Sequence, residues 1–327
     1  MAYRRSKGKA RRKLQPAVMQ IALTVPNEES YVDLALCASI LNRRGYKQQC
    51  TKWAVAGFEV FQPAQGGDGA LSILKAPETW IVENAYNKSK ALYDRMNDQV
   101  LDLNEGIQGK YADFKIGLDS AHVQQDIQDT NTPTGRILTP VDGNGGLTSA
   151  DFNGSIEPVA DWDFSTVEIP NALVSGNTIG YKLHLVGGST AQSKGMIAGY
   201  QLSRSRPNLE DPNVPTQEGW MSELFDDGEN YEDIRDNLVA DNDRAPYPVG
   251  AEGSATAYYA GGPSEQSALQ IHSFCNFTSS TVSGKNSIMG GTFDYGLMKF
   301  VNTTGGPLTV IIHMLPGTHR GYAVEMI

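Results

Sequence analysis

A chain of 327 residues, 40% of them hydrophobic, is long enough to bury a core without covalent staples, and its three cysteines, Cys37, Cys50 and Cys275, are too few and too scattered for a disulfide framework. No run approaches the roughly 18 to 20 apolar residues that a membrane span requires. The polar start lacks the apolar stretch of a secretory signal, which leads to the expectation of a protein made and kept in the cytosol or nucleus, with reduced cysteines and no membrane partner.

The net charge of −10 is an average over two unlike segments. Residues 1 to 13 hold Arg4, Arg5, Lys7, Lys9, Arg11, Arg12 and Lys13 with no acidic residue; the rest has 20 basic against 37 acidic groups, a net of −17. A like-charged stretch of this kind cannot bury enough apolar surface to order itself, so residues 1–16 read as a flexible basic arm on an acidic body. Such an arm binds phosphate through counterion release, independent of sequence and weakened by salt. One arm alone binds poorly; many arms inside a closed shell act at high effective concentration. A nuclear-localisation signal or a solubility tail fits the same composition.

From residue 17 onward the dominant pattern is two-residue alternation, which puts one set of side chains on one sheet face. It predicts strands over Met19–Val25, Trp53–Phe61, Ala112–Leu118, Ile179–Val186, Met196–Leu202, Leu269–Phe277, Phe293–Val301 and Leu308–Leu315, with a weaker one around Ala70–Leu74. Trp53–Phe61 is apolar on nearly both faces, as a central strand packed on two sides would be. Two stretches have helical spacing instead: Asp33–Arg44, with Leu34, Leu36, Cys37, Ile40 and Leu41, and Ala85–Leu101, with Tyr86, Leu92, Tyr93, Met96 and Val100. About nine strands and two short inserted helices predict an all-β chain, a single jelly roll (an eight-stranded antiparallel β-sandwich) over residues 17–327. Residues 119–178 and 203–267 show little periodicity and read as long insertions.

A search for chemistry is mostly negative. There is no phosphate-binding glycine loop, no H-E-x-x-H, no C-x-x-C and no G-x-S-x-G. The five histidines, His122, His184, His272, His313 and His319, have no ligand spacing, and His184 falls on the polar face of its strand, where an exposed or satisfied ring is expected. Asp161 and Asp163 flank Trp162 as a carboxylate pair beside an aromatic would in a glycosidase, although a turn or a solvated face explains them as well. The acidic run that includes Asp226, Asp227 and Glu229 could supply oxygens to a structural calcium ion but lacks the EF-hand pattern. No other cofactor is indicated.

A more particular signal lies in the succession Asp33-Leu-Ala-Leu-Cys-Ala-Ser-Ile-Leu-Asn-Arg-Arg-Gly-Tyr-Lys-Gln48, Lys52-Trp53-Ala54-Val55-Ala56-Gly57-Phe58-Glu59-Val60, Ala76-Pro77-Glu78-Thr79-Trp80, Asn84-Ala85-Tyr86-Asn87-Lys88 and Tyr111-Ala112-Asp113-Phe114-Lys115-Ile116. Over roughly residues 33–125, and by its basic arm, the chain resembles the capsid proteins of CRESS-DNA viruses, whose circular single-stranded DNA genomes encode a replication initiator. The resemblance implies a jelly-roll coat subunit that assembles with copies of itself into an icosahedral shell, packages single-stranded DNA and uses the host nuclear import machinery. A cell-surface receptor would be a further, unidentified partner. The arm is shorter and poorer in arginine than is usual in that family. Arg43, Arg44 and Lys47 are therefore candidates to add DNA-facing charge, and Arg43 and Arg44 suit pairing with acidic neighbours equally well.

The expectation is thus a non-enzymatic viral coat protein of the virion and, during assembly, the host nucleus. The alternatives are a cellular β-rich nucleic-acid or histone-binding protein with a basic tail, and a carbohydrate-active β-sandwich enzyme using Asp161 and Asp163.

Overall fold

The structure, a computed structural model, describes residues 17–49, 51–62, 67–103, 113–123, 136–140, 164–170, 177–204, 261–262, 269–278 and 284–327. In β1 (Gln20–Val25) the alternation buries Ile21, Leu23 and Val25. β2 (Glu29–Asp33) ends on an aspartate that starts the next element: the Asp33 carboxylate accepts hydrogen bonds from the amides of Ala35 and Leu36, at 2.8 and 3.2 Å, and so caps α1 (Leu34–Asn42). β3 (Thr51–Phe61) and β4 (Gly69–Lys75) follow.

The long connection after β4 carries α2 (Trp80–Leu103), β5 (Gly117–Asp119), α3 (Ser120–Val123), β6 (Arg136–Ile137), β7 (Thr166–Pro170), β8 (Thr178–Val186), β9 (Ser193–Gly195) and α4 (Met196–Arg204). The chain then returns through β10 (Gln270–Phe277), β11 (Lys285–Asp294), β12 (Leu297–Asn302), β13 (Leu308–Met314), β14 (Pro316–Gly317), β15 (Gly321–Tyr322) and β16 (Val324–Met326).

Two five-stranded sheets form a β-sandwich. One runs β1-β13-β3-β11, with β16 also on β3; the other runs β10-β4-β12-β2-β6. Their pairings are antiparallel except that of β6 with β2. β3 is central in its sheet, between β13 and β11, but it is not packed on both faces as its apolar pattern suggests: Lys52, Ala54, Glu59 and Phe61 are half-buried and Ala56 is exposed. Phe58, Val60, Leu71, Ile73, Phe300, Val310 and Ile312 fill the space between the sheets. Successive residues of β2 and β12 face opposite ways. Val32 and Met298 join that core, while Tyr31 and Leu297 join a second one, against α2, α4 and a small sheet β5-β8-β7 with β9 beside β8. The inserted segment therefore covers the outer face of the second sheet.

The chain is a mainly β sandwich, as expected, but several elements differ from the alternation. Met196–Leu202 is not a strand: it lies in α4, where Tyr200 packs on Trp80 of α2, its hydroxyl accepts from Asn84 at 3.4 Å, and Lys88 donates to Ser203 at 2.8 Å. Helix contacts with α2 decide the outcome there. Phe293–Val301 is not one strand but two, because Tyr295 (φ 57°) and Gly296 (φ 71°) make a left-handed corner that carries the chain from one sheet to the other. A side chain at Gly296 would meet Trp53 and Leu34 at 3.0 to 3.2 Å. Among the described residues 113–118 only Gly117 and Leu118 lie in a strand, although Phe114, Ile116 and Leu118 are all buried as the pattern requires. β2, with its polar sequence, has no alternation to announce it.

Candidate nucleic-acid interface

The arm residues Arg4, Arg5, Lys7, Lys9, Arg11, Arg12 and Lys13 lie outside the described residues, but the point where the chain joins the sandwich does not. The Val18 amide donates to Asn42 Oδ1 at 3.0 Å, and the Tyr322 hydroxyl donates to the Val18 carbonyl at 2.7 Å. Asn42 Nδ2 closes the triangle by donating to the Tyr322 hydroxyl at 2.8 Å. At Gly321, which has φ +112°, a Cβ would stand 2.6 Å from that of Ala17. The segment that follows the arm is therefore clamped between the last turn of α1 and β15.

The same end of the molecule carries the other candidate cations. Arg43 is the C-terminal cap of α1, exposed and left-handed at φ 52°, ψ 41°, a position usually given to glycine. Arg44 is half-buried and Lys47 exposed. Arg320 joins them from the far end of the chain: its guanidinium donates to the Gly45 carbonyl and stands over the Tyr46 ring at 5.9 Å, and Tyr46 in turn donates its hydroxyl to the Arg320 carbonyl at 3.0 Å. Beneath lie the buried rings of Tyr46, Trp53 and Tyr322, with centroids 5.4 to 6.1 Å apart. Burial and the neighbouring Arg320 charge both hold His319 below its ordinary pKa, so at neutral pH it adds no charge.

Guanidinium and ammonium groups in this arrangement suit phosphate oxygens. The aromatic rings are buried, so the surface offers positive charge without an exposed stacking platform. Lys47 is partly committed elsewhere: burial raises the pKa of Asp113, and a hydrogen bond from the Gln48 amide together with Lys115 and Lys47 works against that rise. Arg320 escapes sequence reasoning because nothing in Thr318-His-Arg-Gly321 marks it; only the fold brings it to residues 275 positions away.

Of the remaining candidates, Asp161 and Asp163 and the acidic run with Asp226, Asp227 and Glu229 lie outside the described residues, as does Cys50. Cys37 is buried and free, and Cys275 is free and partly buried. No group of three or more His, Cys, Asp or Glu side chains among the described residues could hold a metal ion.

The exposed state expected for His184 is corrected: the ring is fully buried, because β8 is packed on both faces; its Nε2 is satisfied by the Gly188 carbonyl at 3.1 Å, while its Nδ1 has no partner among the described residues. It lies near a second polar cluster, at the seam between the sandwich and the inserted segment. There Asp119 accepts from the Tyr31 hydroxyl at 2.8 Å, from the His122 amide at 2.8 Å and from Lys299 Nζ at 3.2 Å. Lys299 also pairs with the more exposed Glu29 at 2.7 Å. Burial pulls the Lys299 pKa down, but the two carboxylates outweigh it and the net direction is up.

No family model, no curated protein and no solved structure matches this chain.

Proposed function

We propose that this chain is the coat protein of a virus with a circular single-stranded DNA genome, that its sandwich is a single jelly roll, and that its role is structural and not catalytic. The observation that carries the nucleic-acid part is the root of the arm. Seven basic residues precede a segment clamped at the end of the sandwich that presents Arg43, Arg44, Lys47 and Arg320. On a body whose charge is otherwise acidic, a positive end gives a polyanion one favoured place to bind.

The strand order supports the jelly roll. Setting aside the short β6 and β16, the eight remaining strands of the two large sheets, β1, β2, β3, β4, β10, β11, β12 and β13, numbered one to eight in chain order, read 1-8-3-6 and 5-4-7-2. That is the order produced when two Greek keys interlock. Shell proteins, lectins and cupins all use it, so the fold alone does not choose among them. The choice rests on the basic end and on the resemblance of residues 33–125 to CRESS-DNA virus capsid proteins. On this reading the partners are further copies of the chain, single-stranded DNA and host nuclear import machinery, and the places of residence are the virion and, during assembly, the nucleus.

The test is negative-stain electron microscopy of the purified protein with the 260/280 nm absorbance ratio of the same fraction. Uniform closed particles that contain nucleic acid are expected. Deleting residues 1–13 is expected to leave assembly intact and to lower nucleic-acid content sharply. Monomers or small rings at every salt and calcium concentration would overturn the shell in favour of a cellular binding protein, and unchanged packaging without the arm would overturn the role of the basic end.

A further inference from the structure

Beside the apolar contacts of Tyr31 and Leu297, the seam between the sandwich and the inserted segment holds ionisable groups that a sandwich core would exclude. His122 is buried and stacked on Tyr31, with ring centroids 4.4 Å apart and planes 3° from parallel, and Phe164 closes its other side edge-on at 5.1 Å. Its Nδ1 accepts the Leu118 amide at 3.0 Å, which places the ring proton on Nε2, and Nε2 has no partner among the described residues. His184, on β8 under α3, is the converse case. Its Nε2 lies 3.1 Å from the Gly188 carbonyl and must donate, so the unpartnered Nδ1 carries the lone pair. Burial holds both rings neutral; the Leu118 hydrogen bond adds to this at His122, the Gly188 hydrogen bond works against it at His184, and each ring has one orphan nitrogen among the described residues.

The charged groups around them act in opposite directions. Asp119 favours a charge on both rings, but less than burial opposes it, and its oxygens are already taken by Tyr31, Lys299 and the His122 amide. Lys299, with Glu29 behind it, repels a charge on His122. On β8, Lys182 shares the His184 face, while Lys194 of β9 pairs with Leu183 and sets its ammonium 4.3 Å from the Tyr181 ring centroid, on the opposite face. Protonating His122 at Nδ1 would also point two donors at one another across the Leu118 hydrogen bond.

We infer that this seam is an acid-released latch: when His122 and His184 take up protons, β5, α3 and β8 detach from β2 and β12 while the sandwich stays folded. In the closed state burial lowers both rings from 6.5 to about 4. Once released into water they would return to roughly 6.5. Between those limits the open state binds protons that the closed state refuses, so the closed state is fully favoured above about pH 6.5 and loses ground as pH falls toward 4. Each histidine contributes up to about a factor of ten per pH unit to the ratio of open to closed.

Hydrogen exchange of the full-length protein at pH 7.5, 6, 5 and 4.5, corrected for intrinsic amide rates, tests this without reference to shells or nucleic acid. Protection is expected to fall with acid at residues 114–123 and 179–186, at least about tenfold per pH unit below 6, while 53–61 and 308–314 hold. Protection that is unchanged, or that fails in all strands together, overturns the latch. His122→Asn keeps an acceptor for the Leu118 amide and His184→Gln keeps a donor for Gly188. The pair is expected to flatten the acid slope, and a slope that persists overturns the assignment. Should the double variant not fold, nuclear magnetic resonance of the native histidine rings decides. Protonation tied to loss of seam protection supports the latch, and free titration near pH 6.5 with protection intact overturns it.

Discussion

The two faces of the second sheet make different kinds of contact. Toward the sandwich interior, Val32, Met298 and Phe300 meet Phe58, Val310 and Ile312 in a cluster of apolar side chains. Toward the inserted segment, the same two strands present Tyr31 and Lys299, which are in register with one another, to Asp119 and His122. Apolar burial depends little on pH or salt and tolerates repacking. A buried polar network holds one geometry, fails when a member is lost and answers to protons. Sandwich and insertion are thus joined by an apolar cluster through Tyr31 and Leu297 and, beside it, by a polar network that is more conditional.

The widest contrast is expected from Phe58→Ala. The ring is 1% exposed and packs edge-on against Phe293 and Phe300 at 5.8 and 6.4 Å. Its removal should cost about 4 kcal/mol of unfolding free energy, read by denaturant titration, with the same loss at pH 7.5 and pH 5.5. A loss that depended strongly on pH would show that the two faces are not separable.

Lys299→Met should cost somewhat less, about 3 kcal/mol, because it keeps the volume of the side chain but leaves the buried Asp119 carboxylate without its cation. Hydrogen exchange should place most of that loss at β5 and α3. Loss spread evenly over β1, β3 and β13 would mean that the seam and the sandwich open as one unit.

Gln48→Leu probes the other tie between the two regions. Gln48 Nε2 donates to Asp33 Oδ2 and to the Ile116 carbonyl, both at 3.1 Å, and Oε1 accepts the Ile116 amide at 2.7 Å. A leucine of similar size strands three buried polar partners, for an expected cost of about 2 kcal/mol, and limited proteolysis should then cut near residues 113–116 first. Equal resistance to protease would remove Gln48 from the set of ties.

The apolar side of this contrast is legible in the sequence and the polar side is not, for a physical reason. Ile21, Leu23 and Val25, or Val310 and Ile312, announce a sheet face by period alone, because burial of each is decided by its own side chain. Asn42 and Tyr322, or Asp119 and Lys299, meet across 280 and 180 residues, and no local pattern encodes that. Alternation also misleads where two periods overlap. Met196, Ala198 and Tyr200 satisfy a strand, yet Ile197 is buried as well, and a helix against α2 buries all four. The basic candidates show the same division: Arg43 and Arg44 stand out as a dipeptide, whereas Arg320 becomes a neighbour only through β15.

The smallest expected effect separates stability from function at a single residue. Arg43 holds φ 52° and ψ 41° at the end of α1, a conformation that costs a side-chain-bearing residue about 1 kcal/mol relative to glycine. Arg43→Gly should therefore stabilise the protein, raising Tm by about 2 °C for a chain of this size, although it deletes an exposed guanidinium. If Arg43 faces nucleic acid, the same variant should bind single-stranded DNA more weakly at low salt, and the slope of log affinity against log salt should lessen by about 0.7, the value for one phosphate contact on a single strand. A gain in Tm with an unchanged salt slope would leave the strained arginine without a role at the phosphate surface and confine that surface to Arg44, Lys47, Arg320 and the arm. A lessened slope would instead explain why arginine stands where the backbone favours glycine.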